Sequence, residues 1–331
     1  MLKRKNKKKK SKKKKEINYY KIILILSLLV IIISFKILFP QLFTFYRLFY
    51  IFPSNFIKNK SSQNITICLC VIAKMENLYA REYVNHYKKL GYKHIYIYDN
   101  NDLDGEKFED VIKDEIDSGF VTIINIRGLS KGQCVAYNDC YEKYNKLYDW
   151  LSFFDFDELL WIKEDTIQNF LSSKRYDKCV TIKINFLFYS DNELLYYDNR
   201  SLVQRFTTAL YNHPSNWFLK VTVRGSLPTN YYSVQCTPHT SHSNYPSCNS
   251  AGKPINYGTG ATKPNFTYAA MRHYYTKSTE EYLIKSSRGS AFSKVHWNDK
   301  RKKFKYKLYF YYNKKTKEKE NLLKNLFNMT L

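Results

Sequence analysis

Residues 66–73, TICLCVIA, form an unbroken apolar run rich in β-formers, the pattern of a strand buried on both faces. Tyr79, Tyr83, Tyr87 and Leu90 then recur at helical spacing, and Gly91 marks a stop. HIYIYD (94–99) predicts a second strand, closed by the turn cluster NNDLDG. A helix is expected over 106–117, a strand over VTIINI (121–126), a helix over 132–147 and a fourth strand over LSFFDF (151–156). Strands alternating with helices imply βαβ units and a parallel sheet. We therefore expect an α/β, Rossmann-like layer across residues 64–190. The second half is irregular, without a repeat, and its many Tyr, Asn, Ser and Thr side chains suit hydrogen bonding to a polar ligand. No Gly-x-Gly-x-x-Gly and no Walker phosphate loop is present, which argues against dinucleotide and nucleoside-triphosphatase sites.

A different pattern precedes this layer. Ile22 to Phe39 is an eighteen-residue stretch with one charge, Lys36, behind a block of eleven basic residues at 3–15. About twenty apolar residues span a bilayer, and basic flanks stay cytoplasmic. The expected organisation is a basic cytoplasmic tail (1–21), a transmembrane anchor (22–39), a stem (40–64), a main domain (65–295) and a basic C-terminal tail (296–331). The expected localisation is membrane-bound, single-pass type II, Golgi- or ER-like in a eukaryotic cell, with the main domain on the non-cytoplasmic side. The formal net charge is +25, and the two ends carry most of it, so the fold as a whole is not marked as a nucleic-acid binder. Seven cysteines leave at least one thiol unpaired within the chain; Cys68 and Cys70, alternating in the first strand, are expected as packed core residues. Asn-x-Ser/Thr triplets at Asn59, Asn64, Asn199, Asn265 and Asn328 add little in so Asn-rich a chain.

Three predicted strands end in polar groups: Lys74, Glu76 and Asn77; Asp99 and Asn100; and Asp155, Asp157 and Glu158 in FFDFDE. Ligands of open α/β sheets bind beyond the carboxyl ends of the strands. An Asp-x-Asp pair there suits a hard divalent cation, and in extended geometry both carboxylates point to one side. Such a cation would neutralise a departing nucleotide diphosphate.

The blocks CLCVIAKMENLYAREYVNHYKKLGYKHIYIYDN, GQCVAYNDCYEKY, WLSFFDFDELLWI and HYYTKSTEEYLIKSSRG, in consistent order over roughly residues 66–290, resemble glycosyltransferase family 92, once DUF23, and the related glycosyltransferase-2-like group. The resemblance implies a GT-A fold, a nucleotide-sugar donor such as UDP-galactose, a glycan or other hydroxyl acceptor, and inverting transfer. It implies Mn²⁺ or Mg²⁺ on Asp155 and Asp157, with His239 as third ligand, His273 a further candidate, His242 a weaker one, and Glu158 orienting the metal's waters. Glu76, Asp99, Gln133 and Asn138 would border the donor together with Asp155, and Arg288 would meet its phosphates. Glu281 and Lys285 are spaced as a helical ion pair. Asp191 and Glu193, after the fifth strand, are the expected bases for the acceptor hydroxyl. The chain departs from the family pattern at Phe188-Tyr189-Ser190-Asp191-Asn192, where relatives show a Phe-Gly-Ser-x-Gly turn. The alternative is a non-catalytic carbohydrate-binding or scaffold protein with a GT-A-like fold.

Overall fold

The computed structural model describes residues 65–227, 232–233, 239, 242–243, 246–255, 260–288 and 299–327, and the single positions Ser27 and Ser34. The chain divides into two units, Met1–Pro53 and Ser54–Leu331, and the second carries everything that follows.

Strand β1 (Ile67–Ala73) is buried along its whole length, as its continuous apolar run requires of a strand covered on both faces. It pairs in parallel with β2 (His94–Asp99) and β4 (Trp150–Phe153), and β2 pairs in parallel with β3 (Val121–Asn125). The crossovers are α1 (Asn77–Leu90), α2 (Glu109–Asp117) and α3 (Gly132–Tyr144). Helix α1 ends as its sequence predicts. Gly91 takes φ 94°, and the amides of Gly91 and Tyr92 turn back onto the carbonyls of Lys88 and Tyr87.

Past β4 the sheet becomes mixed. The strands β5 (Glu158–Ile162), β6 (Thr181–Phe188) and β7 (Leu219–Arg224) follow in the chain, with β7 antiparallel to both β4 and β6. A two-stranded ribbon, β8 (Tyr232–Ser233) and β9 (His242–Ser243), stands apart. Strand β10 (Ser247–Asn249) runs parallel to β6, and β11 (Pro254–Ile255) pairs with it to form the sheet edge. Strand β12 (Ala269–His273) lies between β5 and the end of β6, antiparallel to the first and parallel to the second. Short helices α4 (Ile167–Leu171) and α5 (Leu202–Arg205) sit in the connections.

The fourth strand is shorter than its apolar run suggests. It ends at Phe153, residues 154–157 form a turn, and Glu158 opens β5. Two tyrosines of α1 hold that turn by its backbone. Tyr83 donates its hydroxyl to the carbonyl of Phe154 (3.2 Å). Tyr87 donates to the carbonyl of Glu158 (2.8 Å) and accepts from the amide of Leu160 (3.2 Å). The Tyr83 ring also stacks on Phe156, with centroids 4.4 Å apart.

Residues 296–331, expected as a basic tail, include two helices after α6 (Thr279–Ser287): α7 (Asp299–Tyr312) and α8 (Lys317–Phe327). Tyr306, Tyr309, Leu323 and Phe327 form an apolar cluster with Tyr282 and Leu283 of α6. Aromatic residues at helical spacing within the lysine-rich segment account for this docking.

The membrane localisation expected from the sequence is corrected. No helix among the described residues is long and apolar enough to cross a membrane; α1 and α7, at 14 residues each, fall short of the roughly 20 residues a span needs. The stretch 22–39 on which the expectation rested lies outside the described residues except for Ser27 and Ser34.

Disulfides Cys70–Cys140 and Cys179–Cys248 tie β1 to α3 and the entry of β6 to β10, while Cys68 is a free buried thiol. Cys70, expected as plain core, is thus a covalent staple. Each bridge closes a loop of about 70 residues, a sequence separation of 70 and 69. Chain entropy then favours the fold by about 2–4 kcal/mol per bridge. Cys179→Ser/Cys248→Ser should lower the thermal midpoint by several degrees in a calorimetric scan, and an unchanged midpoint would remove the bridge from the stability account.

Candidate active site

One cavity of about 480 Å³ opens beyond the ends of β1 and β4. Its wall includes Lys74, Glu76, Gln133, Asp155, Asp157, Glu158, His239, His273, Lys285 and Arg288. It is therefore placed where an open α/β sheet binds its ligand.

Asp155 keeps partial exposure to this space, while Asp157 and Glu158 are buried. Tyr137, from α3, donates to Asp155 Oδ1 (3.0 Å). The ammonium of Lys220, fully buried on β7, lies 2.7 Å from Asp155 Oδ2 and 3.1 Å from Glu158 Oε2. Burial alone would push the Asp155 carboxyl up, but the Lys220 charge outweighs it and the pKa falls below the usual value. Glu158 goes the other way: burial, with Asp155 and Asp157 as like-charged neighbours, holds it well above the usual range despite Lys220. Asp157 is bonded by Lys285, and His273 Nε2 lies 3.3 Å from its Oδ2. The Lys285 charge, with His273 beside it, overcomes the burial penalty and holds Asp157 well below the usual carboxylate range.

His273 reaches this point through strand register. It is the last residue of β12, directly opposite Glu158 on β5 and Phe188 on β6. Phe186 and Phe188 pack on its ring, with centroids 4.5 and 4.6 Å away, and burial lowers its pKa. His239 bonds the carbonyl of Leu219 through Nδ1 (2.8 Å). A carbonyl only accepts, so the proton sits on Nδ1 and Nε2 keeps its lone pair. Burial and the Lys220 charge lower its pKa to about 4, so the ring is neutral at pH 7.

Of the residues expected to meet the donor, Glu76, Gln133, Asp155 and Arg288 line the cavity. Arg288 is fixed by Glu76 (2.5 Å) and by the carbonyls of Lys74 and Met75. Asp99 and Asn138 are not among the lining residues. Asp99 binds the guanidinium of Arg127 (2.7 Å) and the amide of Asn101 (3.0 Å), which pins the loop after β2.

The two expected bases lie elsewhere as well. Asp191 is buried against the C-terminal helices, accepting from Tyr309 and pairing with Lys319 (2.7 Å). Glu193 is largely exposed and pairs with Lys314 (3.3 Å). The expected Glu281–Lys285 pair is also replaced. Glu281 binds Arg205 (2.7 and 3.0 Å), which leaves Lys285 to Asp157.

The metal set expected from the sequence is Asp155, Asp157 and His239. Among the described residues the group that converges is Asp157, Glu158 and His273, with one ligand atom of each within 4.8 Å of the others. Hard oxygen donors with one imidazole suit Mn²⁺ or Mg²⁺. Glu158 Oε1, buried without a hydrogen-bond partner, is an acceptor that a cation would satisfy. Lys285 and Lys220 already offset part of the negative charge.

Sequence reasoning missed Lys220, Tyr137, Arg301, Lys305 and Tyr312. Lys220 alternates with Leu219 and Val221 and so looks like a solvent-face residue, yet both faces of β7 are covered.

The chain falls within the class of glycosyltransferases. The chain belongs to glycosyltransferase family 92, whose model matches residues 63–304. No curated protein matches it. Among solved structures, the chain is similar to S. aureus TarS 1–349 in complex with UDP-GlcNAc, at 10% identity over 80% of this chain and 72% of that one, with TM-score 0.38. It is also similar to the mannosyltransferase PcManGT from Pyrobaculum calidifontis in complex with GDP-Man and Mn²⁺, at 11% identity over 78% and 72%, with TM-score 0.34.

Proposed function

We propose that this chain transfers a sugar, with UDP-galactose as the first donor to test, from a nucleotide sugar to a glycan hydroxyl, with inversion on a GT-A fold. One observation carries the proposal most: the Asp155–Asp157 turn, His273, His239 and Arg288 converge on a single cavity at the sheet's carboxyl edge. A divalent cation would be held by Asp157, Glu158 and His273, with Asp155 beside them. Once bound, it supplies charge neutralisation for the leaving diphosphate.

The residues of the chain divide the remaining work. Arg288, braced by Glu76, faces the phosphates. Lys220 fixes Asp155 and Glu158 from behind. The acceptor oxygen bonds to the anomeric carbon as the bond from that carbon to the phosphate oxygen breaks. The electron pair leaves with the nucleoside diphosphate, and the hydroxyl proton goes to a base. Asp191 and Glu193 do not line the cavity, whereas His239 does, with Nε2 unprotonated. We assign His239 that role.

The full chain, supplied with UDP-galactose and glycan acceptors, should lose transfer in chelator and regain it with Mn²⁺ or Mg²⁺. An α-linked donor should give a β-glycoside, read from proton coupling constants. Undiminished transfer in chelator would remove the cation from the scheme, and an α-product would remove inversion.

A further inference from the structure

Beside the carboxylates and cations that the donor reading uses, the cavity is lined by the rings of Phe186, Phe188, Phe218, Tyr275 and Tyr312. Packing accounts for most of them. Phe186 and Phe188 clasp His273, Phe188 stacks on Tyr312 with centroids 4.9 Å apart, and Tyr275 meets Tyr312 at 5.3 Å. Phe218 is different: it lines the cavity yet is 50% exposed. Its backbone is nevertheless fixed. The amide donates to the carbonyl of Ser215 (3.1 Å), the carbonyl accepts from the amide of Phe186 (3.0 Å), and the residue bridges to Ala261 in antiparallel fashion. The buried Asn216 braces the same turn through the carbonyls of Leu210 and Tyr211 and the amide of Phe188. A large ring held at a cavity's mouth by a fixed backbone is preorganised for a partner.

Position says which partner. Phe186 and Phe218 flank the ring of His239, with centroids 5.8 and 6.4 Å away. A base must come within hydrogen-bond reach of the hydroxyl it deprotonates, so an acceptor at His239 has the Phe218 ring beside it. We propose that Phe218 is the stacking surface of the acceptor site, and that the acceptor it takes is an uncharged sugar ring laid with its C–H face on the phenyl face. The proposal rests on the transfer reaction with His239 as base and names what the acceptor must offer. A pyranose has an apolar C–H face and a polar hydroxyl edge. On Phe218 it buries the first and turns the second toward the polar part of the cavity. Phenylalanine carries neither charge nor hydrogen-bonding group, so it gives no purchase on a charged acceptor. Stacking holds the acceptor equally before and during transfer, so it acts on the acceptor KM more than on kcat.

The test is steady-state transfer and calorimetric titration of the full chain with lactose, cellobiose and N,N′-diacetylchitobiose as acceptor probes, with a separate titration of UDP. Phe218→Ala should raise the acceptor KM and weaken saccharide binding about 10–100-fold, the loss expected when a phenyl ring covered by its ligand is removed. UDP affinity should not change. Phe218→Trp should keep acceptor binding, and Phe218→Leu, apolar without an aromatic face, should recover little of the loss. Tyr211→Ala removes a ring that is 63% exposed and does not line the cavity, and should leave the acceptor KM as it is. Thermal melts verify folding. An unchanged acceptor KM in folded Phe218→Ala overturns the platform and leaves the transfer reading intact. Full recovery by Phe218→Leu, an equal loss in Tyr211→Ala, or no binding of any of these saccharides by folded wild type also overturns it. Saccharide binding that Phe218→Ala weakens, without transfer from any nucleotide sugar, upholds the platform while the transfer reading falls.

Discussion

Asp157→Asn is expected to reduce sugar transfer by about 10²–10³-fold, the range seen when one preorganised electrostatic group is removed from an active site. Among the described residues Asp157 is the carboxylate in contact with both Lys285 and His273, and it belongs to the group that could hold a cation. Asparagine keeps the shape and a carbonyl oxygen but loses the charge. Its backbone carbonyl, which accepts from the amide of Tyr274 (2.9 Å), is untouched, so the turn should persist. Circular dichroism and steady-state kinetics on the same preparation separate the two effects. Wild-type turnover by folded Asp157→Asn protein would eliminate Asp157 from the site.

The second large effect concerns stability. Glu281→Gln should destabilise the fold by about 3–5 kcal/mol, because it leaves a buried guanidinium without its counter-charge. Arg205 and Glu281 form a two-point pair whose side chains are 1% and 0% exposed. Tyr79 from α1 donates to the same carboxylate (2.7 Å), and Glu281 also closes the capping box with Ser278 at the start of α6. Burial alone would raise the Glu281 pKa, but Arg205, with Ser278 and Tyr79, brings it below the usual carboxylate value. A depressed carboxylate contributes its stability fully above the unfolded-state pKa, near 4.3 for Glu. That contribution is lost as pH falls through the lower folded value. The gap between wild type and variant in urea unfolding should therefore be constant from pH 7 to 5 and shrink at lower pH. A gap under about 1 kcal/mol at pH 7 would mean that the pair is not the anchor its burial suggests.

The parallel half of the fold was legible because β1, β2 and β4 are buried almost throughout and its first helix shows a tyrosine stripe. The same run of apolar residues misled at FFDF. Nothing local reveals that the hydroxyls of Tyr83 and Tyr87 turn the backbone after Phe153. The cavity was legible in Glu76, Gln133, Asp155, Asp157 and Arg288, which lie in the quoted family blocks. It was illegible where register decides. His273 was named as a candidate ligand, but its place opposite Glu158 was not legible, because it depends on β12 inserting between β5 and β6, a contact spanning more than a hundred residues. Lys220 and Lys305 were hidden by composition, since one more lysine in so lysine-rich a chain carries no signal. Asp191 looked catalytic because it follows a strand, yet its partners, Tyr309 and Lys319, come from the C-terminal helices.

The most direct measurement is release of nucleoside diphosphate from a panel of UDP- and GDP-sugars, with glycan acceptors and Mn²⁺, by the full chain and by Asp155→Asn/Asp157→Asn. The account predicts release with at least one donor by the wild type, coupled to glycoside formation, and background release by the variant. Equal release by both proteins, or none from any donor by folded wild type, would contradict it.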